Sequence, residues 1–89
     1  MKIAKYIDLY NYLTNSNQMR PWEAVRTIRK IRGMSNKLLK ALWIIMREDG
    51  QLPDVAVGDV SLSELVNDEG MNPVEALLML DWLERDPVA

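Results

Sequence analysis

The chain has neither cysteine nor histidine. Without cysteine there is no disulfide framework and no thiolate zinc site, and nothing indicates an oxidising compartment. With histidine also missing, the usual general base, thiol nucleophile and zinc ligands are gone, which argues against an enzyme and against any metal or other cofactor. Long apolar runs are lacking too. The longest is ALWIIM at 41–46, and Lys5, Asp8 and Asn11 interrupt the opening MKIAKYIDLYNYL. Crossing a bilayer takes about 20 apolar residues, so a membrane partner and a signal segment are not expected and the cytoplasm is the expected location. The acids of EDGQLPD lack the alternating spacing of a calcium loop, and no glycine-rich phosphate cradle occurs. Ser35 and Ser61 read as helix caps, and Ser63 has no base to activate it.

What is present describes a small folded domain. Eighty-nine residues, 48% of them hydrophobic and 27% charged, suffice for one core and are too apolar for a disordered chain. The net charge of −2 hides a segregation. Residues 1–47 hold ten basic against two acidic side chains, a net of +8, whereas residues 48–89 hold one basic against eleven acidic, a net of −10. Two explanations stand: opposite faces for different partners, or halves that attract each other.

Hydrophobic spacing then gives the elements. Ile3, Tyr6, Ile7, Tyr10 and Leu13 recur at helical intervals, and Asn15, Ser16 and Asn17 end that first helix. Pro21 suits a first helical position, and Trp22, Val25, Ile28 and Ile31 form the inward stripe of a second helix stopped by Gly33. After Ser35, the third helix carries Leu38, Leu39, Leu42, Trp43, Ile45 and Met46 over an arc too wide for a surface helix, so it reads as the central buried element, closed by Gly50, with Trp43 as hinge of the core. QLPDVAVGDV is a loop with a short extended stretch at 55–60. Ser61 and Glu64 form a capping box for a fourth helix with Leu62, Leu65 and Val66, and Gly70 breaks it. Asn72, Pro73 and Glu75 start a fifth, which ends before Pro87. The expected fold is all-α: a five-helix single domain spanning 1–89, with a basic hairpin at 2–32, a central helix at 35–48, a loop at 49–60 and an acidic hairpin at 61–85.

The two hairpins share a pattern. A shift of 52 positions places Leu13 on Leu65, Asn15 on Asn67, Met19 on Met71, Pro21 on Pro73, Glu23 on Glu75 and Ala24 on Ala76. Val25, Ile28 and Ile31 fall on Leu77, Leu80 and Leu83. Either a helix-turn-helix unit was duplicated, or generic helix-start and core chemistry converged.

Residues 38–86, LLKALWIIMREDG followed by SLSELVNDEGMNPVEALLMLDWLERD, resemble the winged-helix branch of the helix-turn-helix superfamily: a first helix, a short second helix with Leu65, the turn at Gly70, and a third with Leu80 and Leu83 inward. The resemblance stops ahead of the family's β-hairpin wing. Its third helix offers Glu75, Asp81 and Glu84 to solvent, and carboxylates repel phosphates, so the family's DNA contact is not carried onto it. The second helix is the better surface for double-stranded DNA. With Trp22 and Val25 inward, Arg26, Thr27, Arg29 and Lys30 face outward, with Arg20, Arg32 and Lys37 near its ends. Two functions follow. The first is a small DNA-binding or regulatory adaptor of helix-turn-helix type, of the size used by bacteria, phages and mobile elements. The alternative is a non-catalytic protein-interaction module whose acidic half, with Glu75, Asp81 and Glu84, meets a protein partner or a second copy. The three tryptophans read first as packing residues.

Overall fold

The computed structural model describes residues 3–48 and 51–85, with side chains from Tyr6 onward. It is mainly helical with one very small sheet, and the chain divides into two units, Met1–Gly33 and Met34–Ala89. Among the described residues no helix is long and apolar enough to cross a membrane. The expectations for the Ile3 side chain, Gly50 and Pro87 lie outside the described residues.

In the first unit, α1 (Ile3–Asn11) runs straight into a π-helical turn, π1 (Tyr12–Ser16). Leu9 and Leu13 are fully buried, while Ile7, expected inward, is 55% exposed. The reason is angular: Tyr6, Leu9, Tyr10 and Leu13 form one continuous stripe at steps of three and four, and Ile7 lies to one side of it, beyond Tyr10. After four linking residues, α2 (Pro21–Ile31) begins behind Arg20, whose extended backbone (φ −72°, ψ 155°) places its amide 2.9 Å from Glu23 Oε1 as a donor.

The α2 helix presents a different face from the one expected. Ala24 and Ile31 are fully buried, whereas Trp22 is 57% exposed and Val25 is exposed beside it. Thr27, expected outward, is half-buried and its hydroxyl donates to Met19 Sδ at 3.6 Å. Ala24 explains the rotation: a residue with nothing beyond Cβ lets α2 approach α1 closely, and Thr27, Ile28 and Ile31 complete that narrow face.

In the second unit, α3 (Asn36–Arg47) buries Leu38, Ala41, Leu42 and Ile45 and packs against α4 (Pro73–Arg85). Trp43 is only half-buried, so the hinge role expected for it passes to Leu38 and Leu42, which have no exposed surface. Ser35 occupies the N-cap position by backbone, but its side chain makes no cap hydrogen bond, and its buried Oγ has no hydrogen-bond partner among the described residues, contrary to expectation. The extended stretch at 55–60 is a hairpin, β1 (Ala56–Val57) antiparallel to β2 (Val60–Ser61), turning at Gly58 with φ +61°. Glycine at the first central position is what a tight primed turn requires.

The capping box forms as expected, with Glu64 N donating to Ser61 Oγ at 3.1 Å and Ser61 N donating to Glu64 Oε1 at 3.2 Å. It opens a short helical segment ending in a second π-helical turn, π2 (Glu64–Asp68), with Leu62 and Leu65 buried. Asn72 Oδ1 then accepts from Val74 N at 2.8 Å and caps α4. On α4, Val74, Ala76, Leu77 and Leu80 are buried.

The repeated sequence pattern is a repeated turn. The amides of Asn17, Met19 and Ala24 donate to the carbonyls of Tyr12, Leu13 and Arg20 at 3.2, 3.0 and 2.9 Å. Fifty-two positions on, Glu69, Met71 and Ala76 donate to Glu64, Leu65 and Asn72 at 3.1, 2.9 and 2.8 Å. The left-handed residue of the first turn is Gln18 (φ 55°) and that of the second is Gly70 (φ +73°).

Candidate interaction surfaces

The turn at 17–20 and the N1 proline aim α2 so that one face is bare. Trp22, Val25, Arg26 and Arg29 lie on that face at steps of three and four, all exposed, with Lys30 beside them and Arg20 and Arg32 at the ends. The Arg26 guanidinium carbon lies 5.1 Å from the Trp22 ring centroid, a cation–π distance, so an exposed indole and a cation form one composite patch. Among the described residues none of these five arginine and lysine side chains pairs with a carboxylate. Of the seven residues proposed for DNA, these five lie on the outer side of α2 or at its ends, and the other two are placed differently. Thr27 turns inward, and Lys37 stands on α3, where its Nζ lies 3.1 Å from Ala56 O and 3.4 Å from Glu84 Oε2.

The acidic half is also redistributed. Asp81, expected at the surface, is buried at 8% exposure and forms an i,i+4 ion pair with Arg85, Oδ2 to Nε 3.0 Å. Its place on α4 forces this: Asp81 lies on the same side as Val74 and Leu77, the side packed against the rest of the unit. Glu84 is tied to Lys37. Only Glu75, of the three acids proposed for a partner, lies on the outer stripe of α4, and there it is joined by Met79 and Trp82, which is 54% exposed. Beside Met79 an open hollow of about 500 Å³ is lined by Asp59, Val60, Glu64, Leu65, Glu69 and Met71. An apolar centre with a carboxylate rim is thus built from π2, β2 and α4.

Two tryptophans read first as packing residues are therefore surface residues. The signal was in the sequence: Glu75, Met79 and Trp82 form a stripe of their own, separate from Val74, Leu77 and Leu80. No protein-family model, curated protein or solved structure matches the chain.

Proposed function

We propose that the chain is a non-catalytic helix-turn-helix module, a regulatory adaptor that binds a protein partner through the acid-rimmed apolar stripe of α4. The observation that carries this reading is the exposure of Trp82 and Met79 beside Glu75. Large exposed apolar side chains inside a charged rim are the anatomy of a protein interface, and tryptophan is among the residues enriched as anchors in such sites. The carboxylates of the hollow, Asp59, Glu64 and Glu69, together with Glu75 on the α4 stripe, favour a cationic amphipathic segment. Support for the helix-turn-helix type comes from the order α3, π2, turn, α4, which follows the helix order of the winged-helix resemblance, with the β1–β2 hairpin between the first two.

Titrating the full chain with a labelled Leu/Lys amphipathic peptide and with its Leu/Glu counterpart tests this reading. The cationic peptide should bind, the anionic one should not, and Trp82→Ala should weaken binding about tenfold or more. No binding, or binding indifferent to Trp82, overturns it.

A second reading has its own observation. The five exposed cations on α2 and at its ends, Arg20, Arg26, Arg29, Lys30 and Arg32, could instead neutralise phosphates of duplex DNA. Affinity for a labelled duplex should then fall by roughly one log unit per log unit of salt for each phosphate contacted. Absence of binding at low salt removes that reading.

A further inference from the structure

The repeat shows what the first unit lacks. Under the 52-position shift, the bare α2 residues Trp22, Val25 and Arg29 correspond to Val74, Leu77 and Asp81 of α4, and those three are buried. In the second unit α3 and β1 pack on α4, whereas the first unit consists of α1, π1 and α2. The side of the hairpin helix that is buried in the second unit is thus exposed in the first. A cover for the α2 face must be apolar enough to meet Trp22 and Val25, and acidic enough to meet Arg26 and Arg29. The outer stripe of α4 has that composition in Glu75, Met79 and Trp82.

We propose that the occupant of the α2 face is a second copy of this chain, docked through its α4 stripe, so that copies associate head to tail. This rests on the proposed function of the α4 stripe and names its partner. The two faces differ, and where a docked pair does not exchange both faces about a two-fold axis the contact is heterologous and each copy leaves one free face of each kind. Association then builds open chains or a ring rather than a two-fold dimer. Because the rims are of opposite charge and solvent-exposed, salt weakens the contact.

Sedimentation of the full chain over a range of concentrations, at low and high salt, gives the first readout. Mass should grow past two chains with concentration at low salt and shrink at high salt. Two single variants supply the second. Trp22→Asp blocks the α2 face and Trp82→Asp blocks the α4 face, so each alone should sediment as a monomer. Their equimolar mixture still holds one intact face of each kind and should give a mass of two chains and no more, a result that no contact between two like faces produces, while growth of the parent past two chains separates head-to-tail association from a two-fold pair. Both tryptophans are more than half exposed, so the folds should survive, with circular dichroism as the check. If either variant loses helicity, Arg29→Glu and Glu75→Lys replace the pair, and their mixture should again associate. A parent of constant monomer mass at both salts overturns the proposal, as does a mixture that stays monomeric. If the Leu/Lys peptide binds through Trp82 while the parent stays monomeric, the α4 site stands and only its assignment to a second copy fails.

Discussion

Gln18 and Gly70 occupy the same place in two versions of one turn, and both have a left-handed backbone. A side chain there crowds the following carbonyl, at a cost of about 1–2 kcal/mol that glycine escapes. A Cβ added at Gly70 would meet nothing within 4 Å among the described residues, so Gly70→Ala would report backbone strain. It should destabilise by about 1–2 kcal/mol, a loss of several degrees in Tm for a chain of this size. Gln18→Gly should do the opposite by a smaller margin, roughly 0.5 kcal/mol, because glycine's larger unfolded-state entropy offsets part of the relief. Paired thermal melts check both signs. The glycine position was readable as a helix stop, but its partner was not, since nothing about glutamine announces a positive φ.

At the scale of elements, α2 separates what periodicity reveals from what it conceals. Its boundaries follow from Pro21 and the polar run before it. Its orientation does not, because two stripes at helical spacing compete: Trp22, Val25 and Arg29 on one side, Ala24, Thr27, Ile28 and Ile31 on the other. Trp22 and Val25 are the larger apolar groups of the first half of the helix, but Ile28 and Ile31 make the second stripe the more apolar, and Ala24 allows two helices to meet closely on it. The repeat carried the missing information, for Ala24 aligns with the equally buried Ala76. The consequence is measurable. Ala24→Asp, which places an unpaired carboxylate at a site with no exposed surface, should unfold the first unit. Val25→Ala, on the bare face, should change stability by no more than about 0.5 kcal/mol. If Val25→Ala proves the damaging substitution, α2 is turned the other way and the surface proposed on it goes too. The α4 helix shows the same limit in polar form. Asp81 looks like a surface acid until the neighbouring stripe places it beside Val74 and Leu77, where Arg85, four residues on, meets its carboxylate.

For the whole molecule, the charge segregation visible in the sequence does not coincide with the division into units. The sign changes after residue 47, yet the first unit ends at Gly33, so the basic α3 belongs with the acidic hairpin and supplies the Lys37–Glu84 pair. Recounted by unit, residues 1–33 hold seven basic against two acidic side chains, a net of +5, and residues 34–89 hold four against eleven, a net of −7. Size separates the units as well. A stretch of 33 residues with no cysteine falls below the roughly 40 at which a chain without disulfide, metal or partner usually stays folded. The 56 residues of Met34–Ala89 reach the range in which small domains fold alone, and they contain Leu38, Leu42, Leu62, Leu77 and Leu80, all fully buried. Cut between Gly33 and Met34, the chain should therefore give two unlike fragments. The longer should keep its helicity and melt cooperatively, and the shorter should show little helix in circular dichroism at low concentration. A short fragment that is helical by itself would mean that α1 and α2 need no cover. In that case the packing of Leu9, Leu13, Ala24 and Ile31 suffices by itself, and the size argument for the first unit fails.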